Sequence, residues 1–169
     1  MFKIALTNLG KYNEGELVYK WLELPATDEE IDEAKAEIGI NDEYEEWFIT
    51  DYETSWNLRI GEYENLDNLN ETAEMLENLD SYEAEIVAGL LENGYTVEQA
   101  IDCKDDCRIF YNCYSMRDVA EEWIDEVGML SELPEWARNY FDFEAYGRDM
   151  EFESEFHYLG NGKYLEVMR

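Results

Sequence analysis

The segment from Arg108 to Met150 limits what this chain can fold into, because it sets apolar residues at helical spacing against faces of carboxylates with hardly any base. Residues 109–115 (IFYNCYS) read as a short strand of aromatic and β-branched residues, and Ser115 to Asp118 give a capping signal for a helix ending near Val127. On that helix Val119, Ala120, Trp123, Ile124 and Val127 form one stripe. Asp118, Glu121, Glu122, Asp125 and Glu126 cover the other side, and Gly128 stops it. Pro134 opens a second helix in which Trp136, Tyr140 and Phe143 recur at helical spacing while Glu135, Asp142 and Glu144 face away. Such a chain must bury its stripes and leave an unneutralised acidic surface.

The same pattern recurs elsewhere. Phe2, Ile4 and Leu6 alternate as a first strand, residues 8–16 form a polar loop, and Val18 to Leu24 give a second strand that Pro25 ends. Thr27 with Glu30 makes a capping box for a helix that buries Ile31, Ala34 and Ile38, stops at Gly39, and exposes Asp28, Glu29, Asp32, Glu33 and Glu37. Residues 45–53 read as a third strand. From Glu62 to about Asp102 the period is helical: Leu66, Leu69, Ala73, Leu76 and Leu79 first, then a segment capped by Ser81 through Ile86, Val87, Leu90 and Leu91, then a capping box of Thr96 and Gln99. At the end Met150, Phe152, Phe156 and Tyr158 alternate as a strand, residues 159–164 turn, and Tyr164 to Val167 pair back. The expected fold class is α+β, an elongated chain of three small domains: 1–61, a three-stranded sheet with one helix; 62–103, helical; 104–169, a three-stranded sheet with helices.

Charge narrows the function. Acidic residues number 43 against 12 basic ones, a formal net charge of -31, where a small domain ordinarily carries about 2 to 8. With 46% hydrophobic residues, 5 Trp, 13 Tyr and 7 Phe, the chain is no disordered acidic tail. Self-repulsion on this scale costs stability. It fits a surface that imitates nucleic acid, a halophile's solvation shell, or a strongly basic partner, and the aromatic content counts against the halophile. Thirty-one charges equal roughly 50 Å of duplex, or about 15 base pairs. No nucleic-acid partner is expected, direct binding of DNA being the use this surface fits least, since phosphate contacts need lysine and arginine. MFKIALTNLG has no signal-peptide core and no run of 18 apolar residues occurs, so no membrane partner is expected and the chain reads as cytoplasmic. Cys103, Cys107 and Cys113 have neither zinc-knuckle nor CxxC spacing and read as free thiols.

No residue stands out as catalytic. Carboxylates are everywhere, and nothing marks one as a buried general acid. CKDDC (103–107) lacks the spaced DxDxDG loop of a calcium site, His157 has no neighbouring histidine, and no GxGxxG or Walker motif occurs. The expectation is a binding protein with no metal, cofactor or small-molecule substrate.

Four stretches carry a resemblance: NLGKYNEGELVYKWLELP (8–25), NDEYEEWFITDYE (41–53), MRDVAEEWIDEVGML (116–130) and LPEWARNYFDFEAYGRDM (133–150). Over nearly its whole length the chain resembles the ArdA antirestriction family of conjugative plasmids and transposons. The resemblance implies a curved three-domain protein that forms a homodimer, imitates bent B-form DNA, and occupies the DNA-binding groove of type I restriction-modification enzymes at their methyltransferase core. It implies a stoichiometric inhibitor, without catalysis, that protects incoming DNA. The dimer contact then falls near Ile109, Phe110, Tyr111, Cys113 and Tyr114, and the antirestriction signature across Asp118 to Leu133. The acidic partner-binding surface comprises Asp28, Glu29, Asp32, Glu33, Glu37, Glu62, Glu64, Asp67, Glu71, Glu74, Glu77, Asp118, Glu121, Glu122, Asp125, Glu126, Glu132, Glu135, Asp142 and Glu144. An acidic module for a different basic partner is the alternative.

Overall fold

The computed structural model describes residues 1–168 and has a mixed α+β architecture. Compact packing divides the chain into two units, residues 1–84 and residues 85 onward.

In the first unit β1 (Phe2–Asn8) lies between β2 (Tyr19–Glu23) and β3 (Trp47–Thr54), antiparallel to both. The expected alternation holds: Phe2, Ile4 and Leu6 enter a core with Leu22, Ile31, Ala34, Ile38 and Ile49. The polar loop expected at 8–16 is in part a short helix, α1 (Leu9–Asn13), because buried Asn8 ends the strand and caps it. The Asn8 side chain accepts from the Lys11 N–H at 2.9 Å and donates to the Ile38 carbonyl at 3.1 Å, tying α1 to the end of the next helix. That helix, α2 (Asp28–Glu37), starts on the Thr27–Glu30 capping box. Helix α3 (Leu66–Glu77) adds Leu66, Leu69 and Ala73 to the same core. Asn70 fastens it by accepting from the Ala26 N–H at 2.6 Å and donating to the Ala26 carbonyl at 2.9 Å.

Helix α4 (Ser81–Glu92) begins one residue earlier in its capping than the sequence reading places it. Asp80, not Ser81, is the cap: its carboxylate accepts from the Tyr82 and Glu83 N–H groups at 2.8 and 2.9 Å, and Glu83 accepts from the Asp80 N–H at 3.0 Å. Helix α5 (Val97–Cys103) starts on the expected Thr96–Gln99 box, and a 3-10 turn (Lys104–Asp106) leads to β4 (Cys107–Tyr111). The strand expected at 109–115 thus lies earlier, because Asn112 adopts a left-handed backbone (φ 59°) and turns the chain away.

Helix α6 (Met116–Val127) is capped by Ser115 and stopped by left-handed Gly128, as expected, with Val119, Ala120 and Ile124 buried. Val127, at the turn into Gly128, is exposed instead of completing the stripe. The single helix expected after Pro134 is two: α7 (Glu135–Arg138) and α8 (Phe143–Glu153). Asp142 restarts the helix by accepting from the Ala145 N–H at 3.0 Å, and the interruption leaves Trp136 69% and Tyr140 84% exposed. The first half of the strand expected from Met150 is the last turn of α8, where Met150 is buried at helical spacing from Gly147 and Phe152 is 81% exposed, while Phe156 and Tyr158 do lie in a strand. Strand β5 (Glu155–Gly160) follows, then β6 (Lys163–Val167), and the sheet order is β4-β6-β5, all antiparallel.

Helices α6 and α8 pack on Phe110, Cys113, Val119, Ala120 and Met150. Their crossing depends on Gly147, where an added Cβ would collide with the Met116 carbonyl. Arg108 joins α6 to the sheet. Its guanidinium lies 4.3 Å from the Phe110 ring centre and 4.2 Å from that of Trp123, and donates to buried Glu166 at 2.8 and 3.1 Å.

Candidate functional site

On α2, α3 and α6 the sequence-predicted carboxylates sit on helices whose inner faces are packed, so their backbone positions are fixed by the core. On α2, Glu29, Glu33 and Glu37 follow at four-residue intervals beside Asp28 and Asp32, and all are exposed. Asp67, Glu71, Glu74 and Glu77 follow at intervals of four, three and three residues on α3 and are exposed, with Glu62 and Glu64 exposed just before it. On α6, Asp118, Glu121, Glu122 and Asp125 line one shallow depression with Tyr111, Asn112 and Cys113, and Glu126 follows. Glu132, Glu135 and Glu144 are exposed, and Asp142 is held as the α8 cap.

Helix geometry converts these positions into a charge density. The 12 residues of α6 span about 18 Å, so its five carboxylates average one per about 3.6 Å of axis. The 10 residues of α2 span about 15 Å and give about 3 Å per charge, leaving aside Glu30, which closes its capping box. The four on α3 give about 4.5 Å over its 12 residues. One strand of duplex DNA carries a charge about every 3.4 Å. Each helix therefore presents roughly the charge line of one phosphate strand.

Few bases neutralise it. Lys20 pairs with Glu37 at 2.7 Å, Arg117 with Glu121 at 3.6 Å and Arg108 with Glu126 at 3.4 Å. Among the described residues no other carboxylate of the predicted surface meets a lysine or arginine within 4.0 Å. Local hydrogen bonds fix some of the charges. The Tyr114 backbone N–H donates to Asp118 at 2.9 Å and, with help from Ser115, holds its carboxyl below the usual carboxylate range. Burial pushes the neighbouring Cys113 thiol up to about 12, helped by its hydrogen bond to Glu122 at 3.1 Å.

The five residues expected at a dimer contact do not share one environment. Ile109, Phe110 and Cys113 are buried within the protomer, while Tyr111 and Tyr114 are exposed and β4 forms an edge of its sheet. Tyr111 donates to Glu85 at 2.8 Å, and Lys163 also pairs with Glu85, whose carboxyl these bonds hold below its usual range. The sequence reading left out Asp149 and Glu153, exposed on α8 four residues apart, because it started a strand at Met150 and so broke the helix between them. The helical spacing of Phe143, Gly147 and Met150 was the available sign.

Among the described residues no group of three or more His, Cys, Asp or Glu side chains is arranged to hold a metal ion, and no helix is long and apolar enough to cross a membrane. A family model described as antirestriction protein (ArdA) matches residues 4–165. No curated protein matches the chain.

Proposed function

The chain belongs to the ArdA antirestriction family, and from that premise we propose that it is a DNA mimic that occupies the DNA-binding groove of a type I restriction-modification enzyme. Proteins of this family are not enzymes, and this chain is not one. Inhibition is stoichiometric: carboxylates take the positions where the groove's lysines and arginines expect phosphates, and incoming DNA escapes restriction. The observation that carries this reading is the axial density of carboxylates, about one per 3 to 4.5 Å along α2, α3 and α6, close to that of a phosphate strand.

Within the proposal, the three segments 1–61, 62–103 and 104–169 contribute successive stretches of acidic surface, carried by α2, by α3, and by α6 to α8. The active species is a homodimer in the cytoplasm. Tyr111, Tyr114 and the edge strand β4 form the contact, while Ile109, Phe110 and Cys113 support it from beneath. Charge alone attracts any basic protein, so the placement of the carboxylates on the packed helices within each unit supplies selectivity.

The test is displacement. Purified protein is titrated into a preformed complex of a type I methyltransferase with its target duplex, and free duplex is measured. Release complete near one dimer per enzyme is the expected result. No release at low salt would overturn the reading and favour an acidic module for another basic partner.

A further inference from the structure

The first unit's sheet has a second face that the acidic helices do not explain. Phe2, Ile4 and Leu6 of β1 point into the core with α2 and α3, so Lys3, Ala5 and Thr7 point the other way. A face left to solvent is ordinarily polar. This one is aromatic: Trp21 lies opposite Ala5, and Tyr19 and Phe48 lie opposite Thr7. The small Ala5 side chain leaves a low floor, and the register shift in β3 adds the Thr50 hydroxyl, 2.8 Å from that of Thr7. Tyr12 stands edge-on to Phe48 with ring centres 5.1 Å apart. The result is a pit of about 430 Å³ with aromatic walls and with Asp51 and Glu62 on its rim.

The lining decides the occupant. It contains no lysine or arginine, so an anion is disfavoured, and the two rim carboxylates call for a positive group. Aromatic faces attract cations, and this sheet face already shows it: the Lys3 ammonium lies 4.8 Å from the Trp21 ring centre while pairing with Glu53 at 2.9 Å. A guanidinium adds to this a flat face that stacks on a ring and a two-pronged bond to a carboxylate, where an ammonium offers only a point charge.

We propose that this pit is an arginine-binding pocket that receives one arginine side chain from the basic surface of the partner protein. Naming that partner rests on the antirestriction reading above; the pocket itself does not. Stacking survives added salt better than exposed charge pairing does, so the pocket contributes recognition that a phosphate surface has no counterpart for.

The full-length chain, labelled with ¹⁵N, is titrated with N-acetyl-arginine amide and, in parallel, with the neutral isostere N-acetyl-citrulline amide. Saturable shifts at the Ala5 and Thr50 amides and the Trp21 indole N–H are expected, roughly tenfold tighter for arginine than for citrulline. Trp21→Leu and, separately, Asp51→Asn each weaken arginine binding by roughly three- to tenfold, with the dispersion of the other amides retained. Equal shifts with citrulline, shifts confined to the acidic helices, or unchanged binding in both variants would overturn the pocket. In the displacement assay at high salt, Trp21→Leu is expected to release duplex less well than the parent chain, and equal release would overturn the pocket's part in inhibition. Failure of the parent chain itself to release duplex would overturn the antirestriction reading and leave the arginine titration to stand alone.

Discussion

Arg108 shows how one base can matter in a chain so short of them. Stacked between Phe110 and Trp123 and bonded to buried Glu166, it compensates a carboxylate that no water can reach well. Arg108→Ala leaves that charge unpaired and should lower stability by about 3 kcal/mol in urea unfolding; a loss under about 0.5 kcal/mol, the range of ordinary surface substitutions, would contradict this role. None of it was legible in the sequence, since the three partners come from β4, α6 and β6 and meet only in the fold. The Thr27–Glu30 and Thr96–Gln99 capping boxes, in contrast, were legible because both members lie within four residues of each other, whereas the equally local Asp80–Glu83 pair was passed over for Ser81. Titration at Asp118 has a definite sign. Its carboxyl is held below the unfolded value of about 3.9, so its contribution is present above that value and disappears as pH falls through the lower folded one. Asp118→Asn should therefore be less stable than the parent chain at pH 6 and should lose less stability on acidification. The thiols give a second residue-scale check. Burial holds Cys107 and Cys113 up at about 12, so at pH 8 both should react with iodoacetamide more than tenfold slower in the native chain than in the unfolded one.

Among the elements, α6 was placed well and α7 and α8 were not. The α6 stripe is bounded by Ser115 and Gly128, both local signals that the structure uses as such. In residues 134–153 aromatic residues at helical spacing look like a buried stripe, yet Trp136 and Tyr140 face solvent because Asp142 starts a new helix in the middle of the pattern. What anchors α8 is the close approach of Gly147 to the Met116 backbone, which periodicity cannot reveal. Gly147→Ala puts a methyl group against backbone that cannot rotate away, and should destabilise the second unit by about 1–3 kcal/mol. Helix propensity alone predicts the opposite sign, so a thermal melt of this one variant separates packing from propensity. Since α6 carries five of the predicted carboxylates and is seated partly on α8, the same change should weaken duplex displacement without altering any charge.

For the whole molecule, the sequence made the two three-stranded sheets and the acidic excess plain. The division after residue 84 was not, because it falls inside a stretch of uniform helical period. There α3 adds Leu66, Leu69 and Ala73 to the first core, whereas Gly89 of α4 lies against Leu159 and Leu165. Which core accepts a helix is a long-range choice that its own period does not record. A net charge of -31 also gives salt two opposite effects. Screening relieves self-repulsion, so the urea midpoint of the isolated chain should rise with added sodium chloride. The same screening should weaken its hold on a basic groove. The most direct test of the central claim is therefore the affinity of the chain for a type I methyltransferase as a function of salt. A DNA mimic predicts that affinity falls linearly on logarithmic axes, by at least roughly tenfold between about 50 and 200 mM, in parallel with that of the displaced duplex. An affinity indifferent to salt would contradict it.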